Sequence, residues 1–553
     1  IGARMGRPEK AKLRKLIGSP HALFPVGKQG GRLRSVTAAV EGGVVRAEFS
    51  LHFCDACNKD SIYPCCSNCG AACKRLYYCR SCDSRSVSPC LEHDNKQDYC
   101  EQSIDVRAYY DKARTLTGVT TDMAPIIKGV RGTSNKDHSC EHLGKGMLRA
   151  KHNLHVNKDG TIRYDMTEMP LNHFRPREIG TNIERLKEMG YTRDIDEKPL
   201  EQENQILALL PHDIVLPACS DSDDEPADET FMRVCAFVDD ELERLYKLPR
   251  FYNLRSRSDL VGQLFVCIAP HICTATVGRL IGFSKTQAML ASPFMHAAMR
   301  RDCDGDEAAV ILLMDMLLNF SRKFLPAHRG GTQDAPLVLN TRINAGDVDD
   351  QILTFELGPY PLELYEYAEQ GRHSSEVKID NVKSRLKAGK NPFYPRFFTH
   401  NTCDLNGGIN NSSYKSLPSM SEKVDAMMTL CKKLRAVDVS DVARLIIERH
   451  FIRDTKGNLR KFSMQGFRCV DCNEKFRRPP LAGRCTCGGK LIFTISEGSI
   501  IKYLATALEL ARTYQVSPYL LECLELVEKD IESLFGKDKE KQEQLARWFG
   551  QPR

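Results

Sequence analysis

Arg300-Arg301-Asp302-Cys303-Asp304-Gly305-Asp306-Glu307 sets three aspartates at alternate positions, with Gly305 between the last two. Glycine has no Cβ to obstruct a sharp bend, so Gly305 lets Asp304 and Asp306 point at one place. Converging carboxylates repel one another unless a cation lies between them, and oxygen ligands of this kind favour a hard ion such as Mg²⁺. A calcium loop that opens Asp-x-Asp also needs Gly at its sixth position and Glu at its twelfth. Here those positions hold Glu307 and Leu313, which excludes it. An exposed acidic turn capping the next helix is the second reading of the same residues. The setting weighs against it, because the run lies between apolar stretches: 261–268 reads as a buried strand and 306–325 as a long, mostly buried helix. Of the flanking side chains, His296 reads as a buried core residue. Arg301 is open to two roles, substrate contact or structural salt bridge.

The 23 cysteines fall into spaced groups. Cys54-x-x-Cys57 with Cys66-x-x-Cys69 makes a paired zinc knuckle, in which each tight turn presents two thiolates and two turns close a tetrahedron. Cys79-x-x-Cys82 with Cys90-x-x-His93 repeats the logic with histidine as a fourth ligand; Cys65 and Cys73 lie near enough in sequence to replace a member. Cys469-x-x-Cys472 with Cys485-x-Cys487 offers a third set of tighter final spacing. Residues 54–100 lack aliphatic periodicity and cannot hold a core without metal. Closed four-ligand sets imply structural Zn²⁺ that stabilises folding and does no chemistry.

With 553 residues, 42% hydrophobic and 27% charged, the chain is long enough for roughly three or four domains. A net charge of +7 permits a nucleic-acid partner without requiring one. Ile1-Gly2-Ala3-Arg4 has no initiator Met, so the start is expected to be internal to a longer product or a result of processing. Neither a signal peptide nor an apolar run of about 18 residues is present, so no membrane partner and a cytoplasmic location are expected. Strand-like runs cover 36–40 and 44–49, separated by Gly42-Gly43, and a turn at 157–160 joins a further strand pair. Residues 219–229 read as an acidic exposed loop followed by a helix through 231–246, and helices are predicted in 420–450 and 498–535. Lys383, Arg385, Lys387, Lys390 and Arg396 either track duplex phosphates or form a solvated face, whereas Tyr394, Phe397 and Phe398 between them read as core.

These landmarks resemble one family. Arg300–Glu307 with the following Ala-Ala-Val-Ile-Leu-Leu is similar to the catalytic motif of the archaeal family D DNA polymerase large subunit. So are Gly2-Ala3-Arg4-Met5-Gly6-Arg7-Pro8, Arg329-Gly330-Gly331, Pro395-Arg396-Phe397-Phe398-Thr399-His400 and Phe476-Arg477-Arg478-Pro479-Pro480-Leu481. The resemblance runs from the first residue to the last cysteine group. It implies a multidomain α+β protein with an RNA-polymerase-like double-psi β-barrel catalytic core, inserted zinc ribbons and a helical C-terminal region. The expected organisation is a basic segment of the first barrel at 1–50, zinc domains at 51–100 and a mixed linker and clamp region at 101–250. A catalytic barrel with helical extension follows at 251–460, then a third zinc domain at 461–495, a helical domain at 496–538 and a tail at 539–553.

The resemblance also implies DNA-directed DNA polymerase activity on primer-template and dNTPs. Asp304 and Asp306 would hold two Mg²⁺ and Asp302, where the family usually has Asn, would add a carboxylate. Arg4, Arg7 and Lys10 would face triphosphate, with phosphate or solvent contact as the alternative. A small partner subunit would carry 3′–5′ exonuclease activity. Gln542, Leu545, Trp548 and Phe549 follow the pattern Q-x-x-L-x-x-aromatic-aromatic, which resembles a peptide that binds the sliding clamp (PCNA); a tail docking on its own domain is the alternative. Two other functions compete: a non-catalytic zinc-ribbon DNA-binding and clamp-tethering module, and an RNA polymerase relative that prefers rNTPs.

Overall fold

The computed structural model describes residues 19–93, 97–270, 274–303, 305–326, 338–358, 360–393, 404–407, 410–411, 417–470, 474–486, 488–493, 495 and 497–535. The chain divides into two units, 13–412 and a second formed by 1–12 with 413–553.

In the larger unit, β1 (Val44–Ser50) pairs antiparallel with β2 (Tyr99–Asp105), Val44 opposite Asp105 and Ser50 opposite Tyr99. Asp105 ends β2 and starts α1 (Val106–Thr117) by accepting from the backbone N–H groups of Arg107 and Ala108. The run at 36–40 is helical rather than extended: Ser35 caps Val36–Glu41 by accepting from Ala38 N–H. The turn at 157–160 forms, with Asn157 N–H donating to Thr161 O at 2.8 Å, but only the strand after it exists.

The core of this unit is a closed barrel of six strands. They are β3 (Tyr164–Pro170), β4 (Asp213–Pro217), β5 (Leu264–Ile268), β6 (Thr274–Ser284), β7 (Met289–Ala291) and β8 (Glu307–Leu312). The ring runs β4-β7-β3-β8-β5-β6 and back to β4. β3 with β7 and β4 with β6 are parallel; the other four pairings are antiparallel. Closure leaves no unpaired edge among these strands. β3 and β4 lie upstream of residue 251, so the barrel begins earlier than the sequence boundary placed it.

Residues 306–325 do not form the one long helix expected but strand β8 followed by a short helix, Leu313–Asn319. Along β8, Ala308, Val310 and Leu312 join one hydrophobic cluster while Ala309 and Ile311 join another. A strand covered on both faces reads as an unbroken apolar run, and period alone cannot separate it from a buried helix. The acidic segment 219–229 is also more packed than expected: Cys219, Asp224 and Asp228 are buried, and Asp228 pairs with Arg257 at 3.1 Å.

Helices close over the barrel through polar contacts as well as apolar ones. From α2 (Leu143–Lys151), the fully buried Arg149 donates to both oxygens of Glu141 at 2.7 Å and to Gly160 O at 2.9 Å. Lys145 reaches Glu241, at the end of α3 (Ala227–Glu241), at 2.9 Å. α3 continues as a wide turn, Leu242–Tyr246, which completes the helix predicted there. α4 (Pro293–Ala298) precedes the acidic loop, and α5 (Leu313–Asn319) follows β8. On α5, Asn319 donates to Glu241 at 2.8 Å and to Asp315 at 2.9 Å, while Asp315 also accepts from Ile162 N–H at 2.7 Å.

The smaller unit is helical. α6 (Met420–Lys433) is followed by α7 (Val439–Ile446), which passes through Ile447–Phe451 into α8 (Ile452–Met464) without a break. A three-stranded ribbon pairs Phe467–Cys469 with Lys475–Phe476 and Leu491–Phe493. α9 (Leu504–Thr513) and α10 (Pro518–Phe535) complete it, over a core in which Phe451 and Tyr503 stack 4.9 Å apart. No helix among the described residues is long and apolar enough to cross a membrane.

Burial pushes the Asp315 carboxyl up to about 7, only partly offset by Ile162 N–H, Arg149 and Asn319. The folded state therefore keeps a proton that the unfolded carboxyl releases near its ordinary value, and stability falls as pH rises from about 4 to about 7. At roughly 1.36 kcal/mol per unit, the effect is at most about 4 kcal/mol. Asp315→Asn cannot titrate, so it should be more destabilising at pH 5 than at pH 8. Urea unfolding of both proteins at the two pH values checks this; an equal difference at both would refute it.

Candidate active site and metal centres

The acidic loop is slung between α4 and β8. Ser292 caps α4 by accepting from Phe294 N–H, and Pro293 presets the first turn. Beyond the helix, Arg300 (φ 59°), Cys303 (φ 61°) and Gly305 (φ 99°) take left-handed backbone. At Gly305 the torsion and not space demands glycine, since an added Cβ would meet only Thr167 Cγ2 at 3.9 Å. Within the loop Arg301 Nη1 lies 3.1 Å from Asp306 Oδ2. The Asp306 side chain keeps 43% of its surface exposed, and Asp302 is exposed. Asp304 lies outside the described residues. The structure thus brings Arg301 and Asp306 together in a salt bridge on one rim of the barrel, with Asp302 next to them in the loop.

Both stems of the loop are anchored below. Glu168 N–H, on β3, donates to Asp306 O at 2.9 Å, and Arg301 N–H donates to His296 O at 3.0 Å. His296 is fully buried, with Nε2 3.0 Å from Met169 O and Nδ1 2.6 Å from Glu168 Oε2. Sequence reasoning passed over Glu168. Its signal was the alternation Tyr164, Met166, Glu168, which sets a carboxylate at a position reserved for apolar residues.

Of the other candidates, Lys383 and Lys387 are exposed on the helix Val382–Lys387, whereas Arg385 is paired with Asp380 at 2.8 Å. Arg4, Arg7, Lys10, Tyr394, Arg396, Phe397 and Phe398 lie outside the described residues. So do Gln542, Leu545, Trp548 and Phe549.

Two cysteine sets converge. The ligand atoms of Cys54, Cys57, Cys66 and Cys69 lie within 4.8 Å of one another, as do those of Cys79, Cys82, Cys90 and His93. Zn–S bonds of about 2.3 Å in a tetrahedron place sulfurs roughly 3.8 Å apart. Cys54 and Cys69 Sγ are 3.6 Å apart, Cys57 and Cys66 3.9 Å, and Cys82 and Cys90 3.9 Å. His93 Nδ1 is 3.3 Å from Cys82 Sγ. Both donor sets therefore fit Zn²⁺. Backbone N–H groups of Cys69 and Asn68 hold the Cys66 thiol down to about 6, whereas hydrogen bonding to Cys69 pushes the Cys57 thiol up to about 12. Cys73 stays out of the set; its Sγ faces Ala71 O, and burial pushes it up to about 11. Cys65 is exposed and also outside. In the third group Cys469 and Cys485 are buried in and beside the ribbon of the smaller unit, while Cys472 and Cys487 lie outside the described residues.

Residues 120–423 match the family described as DNA polymerase II large subunit DP2, catalytic domain, and residues 1–88 match its central domain. Residues 463–521 match the zinc finger domain of DNA polymerase-epsilon. Three curated relatives are each described as DNA polymerase II large subunit. That of Methanothermobacter thermautotrophicus is 43% identical, over 99% of this chain and 47% of the relative. That of Pyrococcus furiosus is 43% identical, over 97% and 43%. That of Nanoarchaeum equitans is 41% identical, over 98% and 47%. The chain spans about half the length of the curated relatives it matches.

Replacing one thiolate of a closed set removes the ion and the fold it supports. Cys57→Ser is expected to lower bound zinc by one equivalent per chain in elemental analysis and to expose 51–76 to limited proteolysis. Unchanged zinc content would remove Cys57 from the set.

Proposed function

The chain belongs to the DNA polymerase II large subunit family, and on that premise we propose that it carries the nucleotidyl-transfer centre of a DNA-directed DNA polymerase. The observation that carries the reading is the acidic loop on the barrel rim, with Asp306 held by Arg301 at 3.1 Å and its neighbours Asp302 and Gly305 turned outward. A closed six-stranded barrel with two parallel pairs supports the expectation of a double-psi core.

In the proposed reaction the primer 3′-hydroxyl oxygen bonds to the α-phosphorus of a dNTP. The bond from that phosphorus to the bridging oxygen breaks, pyrophosphate leaves, and the hydroxyl proton passes to solvent. Mg²⁺ held by Asp304 and Asp306, with Asp302 as a further carboxylate, would supply the Lewis acid that favours the alkoxide and offsets charge on the leaving group. Arg301 fixes the Asp306 carboxylate and cancels part of the repulsion among the acids. Arg4, Arg7 and Lys10 are proposed to face the triphosphate. Lys383 and Lys387 are proposed to follow duplex phosphates; Arg385, already paired with Asp380, holds its helix instead. Zn²⁺ in the cysteine sets is structural. Two further proposals rest on the sequence resemblance: a small subunit supplying 3′–5′ exonuclease activity, and a sliding clamp bound through Gln542, Leu545, Trp548 and Phe549.

Asp306→Ala in the assembled polymerase should lower primer extension by roughly a thousandfold, the equivalent of several kcal/mol of transition-state stabilisation. Binding of primer-template, measured by fluorescence anisotropy, should change little. Unchanged extension would favour a non-catalytic DNA-tethering module.

A further inference from the structure

We infer that Glu168 and His296 are positioning residues for the acidic loop: a buried carboxylate–imidazole pair that ties the loop's two stems together. The inference rests on the reading of that loop as the nucleotidyl-transfer centre.

Both side chains have no exposed surface. Desolvating two ionisable groups is costly, and apolar side chains would pack β3 on α4 more cheaply. Their geometry supplies the reason. His296 O receives the N–H of Met299 at 3.0 Å and of Arg301 at 3.0 Å, so this residue ends α4 and starts the loop. Glu168 N–H receives the other end through Asp306 O at 2.9 Å, and β3 then runs in register with β8, Thr167 opposite Glu307. Each member of the pair thus holds one stem through its own backbone. The side chains complete the link, with Nδ1 and Oε2 2.6 Å apart, a close polar contact off the hydrogen-bond axis. A third tie sets the ring. Met169 O can only accept, so the 3.0 Å contact places a proton on Nε2 and directs Nδ1 at Glu168.

Apolar packing, including Phe294 against Phe393 with ring centroids 4.7 Å apart, seats α4 but does not fix its rotation about its own axis. The polar pair does. If α4 turned or slid against β3, Arg301 would move with it, and Asp306 would lose the cation that orients its carboxylate. Groups behind metal ligands that set their direction typically control affinity or rate by about 10- to 100-fold. The buried network around Arg149 is of a different kind, since it lies at the α5 end of β8 and, among the described residues, touches none of the loop.

The test compares Glu168→Gln, His296→Gln, the double variant and Asp306→Ala in the assembled polymerase. Readouts are kcat, the Mg²⁺ concentration for half-maximal extension, Mn²⁺ binding followed by electron paramagnetic resonance, and thermal melting. Each single variant should lower kcat by about 10- to 100-fold and weaken Mn²⁺ binding by about tenfold at temperatures where it remains folded. The double variant, in which two amides can pair, should recover part of both. Parent-like kcat and Mn²⁺ binding in folded Glu168→Gln and His296→Gln, beside an inactive Asp306→Ala, would overturn the positioning role alone. An active Asp306→Ala would overturn the active-site reading beneath it.

Discussion

The antiparallel pairing of β3 with β8, from Thr167 opposite Glu307 to Tyr164 opposite Val310, is the contact on which both the barrel and the acidic loop depend. Without it the ring of six strands opens, because among the described residues β3 fills the place between β7 and β8. Its register is equally binding. A slip of one residue would exchange the faces of β8 and send Ala309 and Ile311 into the cluster now filled by Val310 and Leu312. The same slip would carry Glu168 away from Asp306 and set Thr167 in its place. Strand pairing and the placement of the carboxylates are therefore one specification.

Around that ring the interior is held by charges as well as by apolar side chains. Arg149 pairs with Glu141, and Lys145, Glu241, Asn319 and Asp315 form a chain of contacts that joins α2, α3 and α5. Such groups add little net stability over well-packed apolar residues, but a misplaced helix would leave each of them unpaired in the core. They raise the cost of wrong packings. The zinc knuckles solve the opposite problem. Their segments contribute few buried side chains, so convergent thiolates replace the core they cannot build.

Much of this was legible in the sequence, and unevenly so. The knuckles were readable to the residue, since a Cys-x-x-Cys turn fixes its geometry locally. The strand read at 44–49 is present as Val44–Ser50, that read at 261–268 as the shorter Leu264–Ile268, and the bend at Gly305 takes the left-handed torsion that side chains resist. What escaped depended on partners remote in sequence. Ala308–Leu312 looks helical because both of its faces are covered, and only β3 and β5 reveal it as a strand. Val36–Glu41 looks extended because two valines favour strands, yet the Ser35 cap closes the segment as a helix. Asp224 and Asp228 looked exposed because charge usually is; Arg257 keeps Asp228 inside. Glu168 carried a signal, but a single carboxylate in an alternating strand means nothing until the strand beside it is known.

The acidic loop combines demands that a single local motif cannot meet. Its tip must stay open, because carboxylates that take up a cation need access to solvent and room for substrate. Its stems must stay closed, because a carboxylate free to swing binds metal weakly. The structure separates the two along the chain. Asp302 and Asp306 reach outward, while His296, a few residues upstream, and Glu168, on the neighbouring strand β3, are fully buried. Arg301 bridges the levels, its backbone tied to His296 and its side chain to Asp306. Left-handed residues at Arg300, Cys303 and Gly305 let so short a segment leave the core, turn and return. Backbone strain at the two non-glycine positions, about 1 kcal/mol or more each, is tolerated because the barrel below over-determines where both ends must lie.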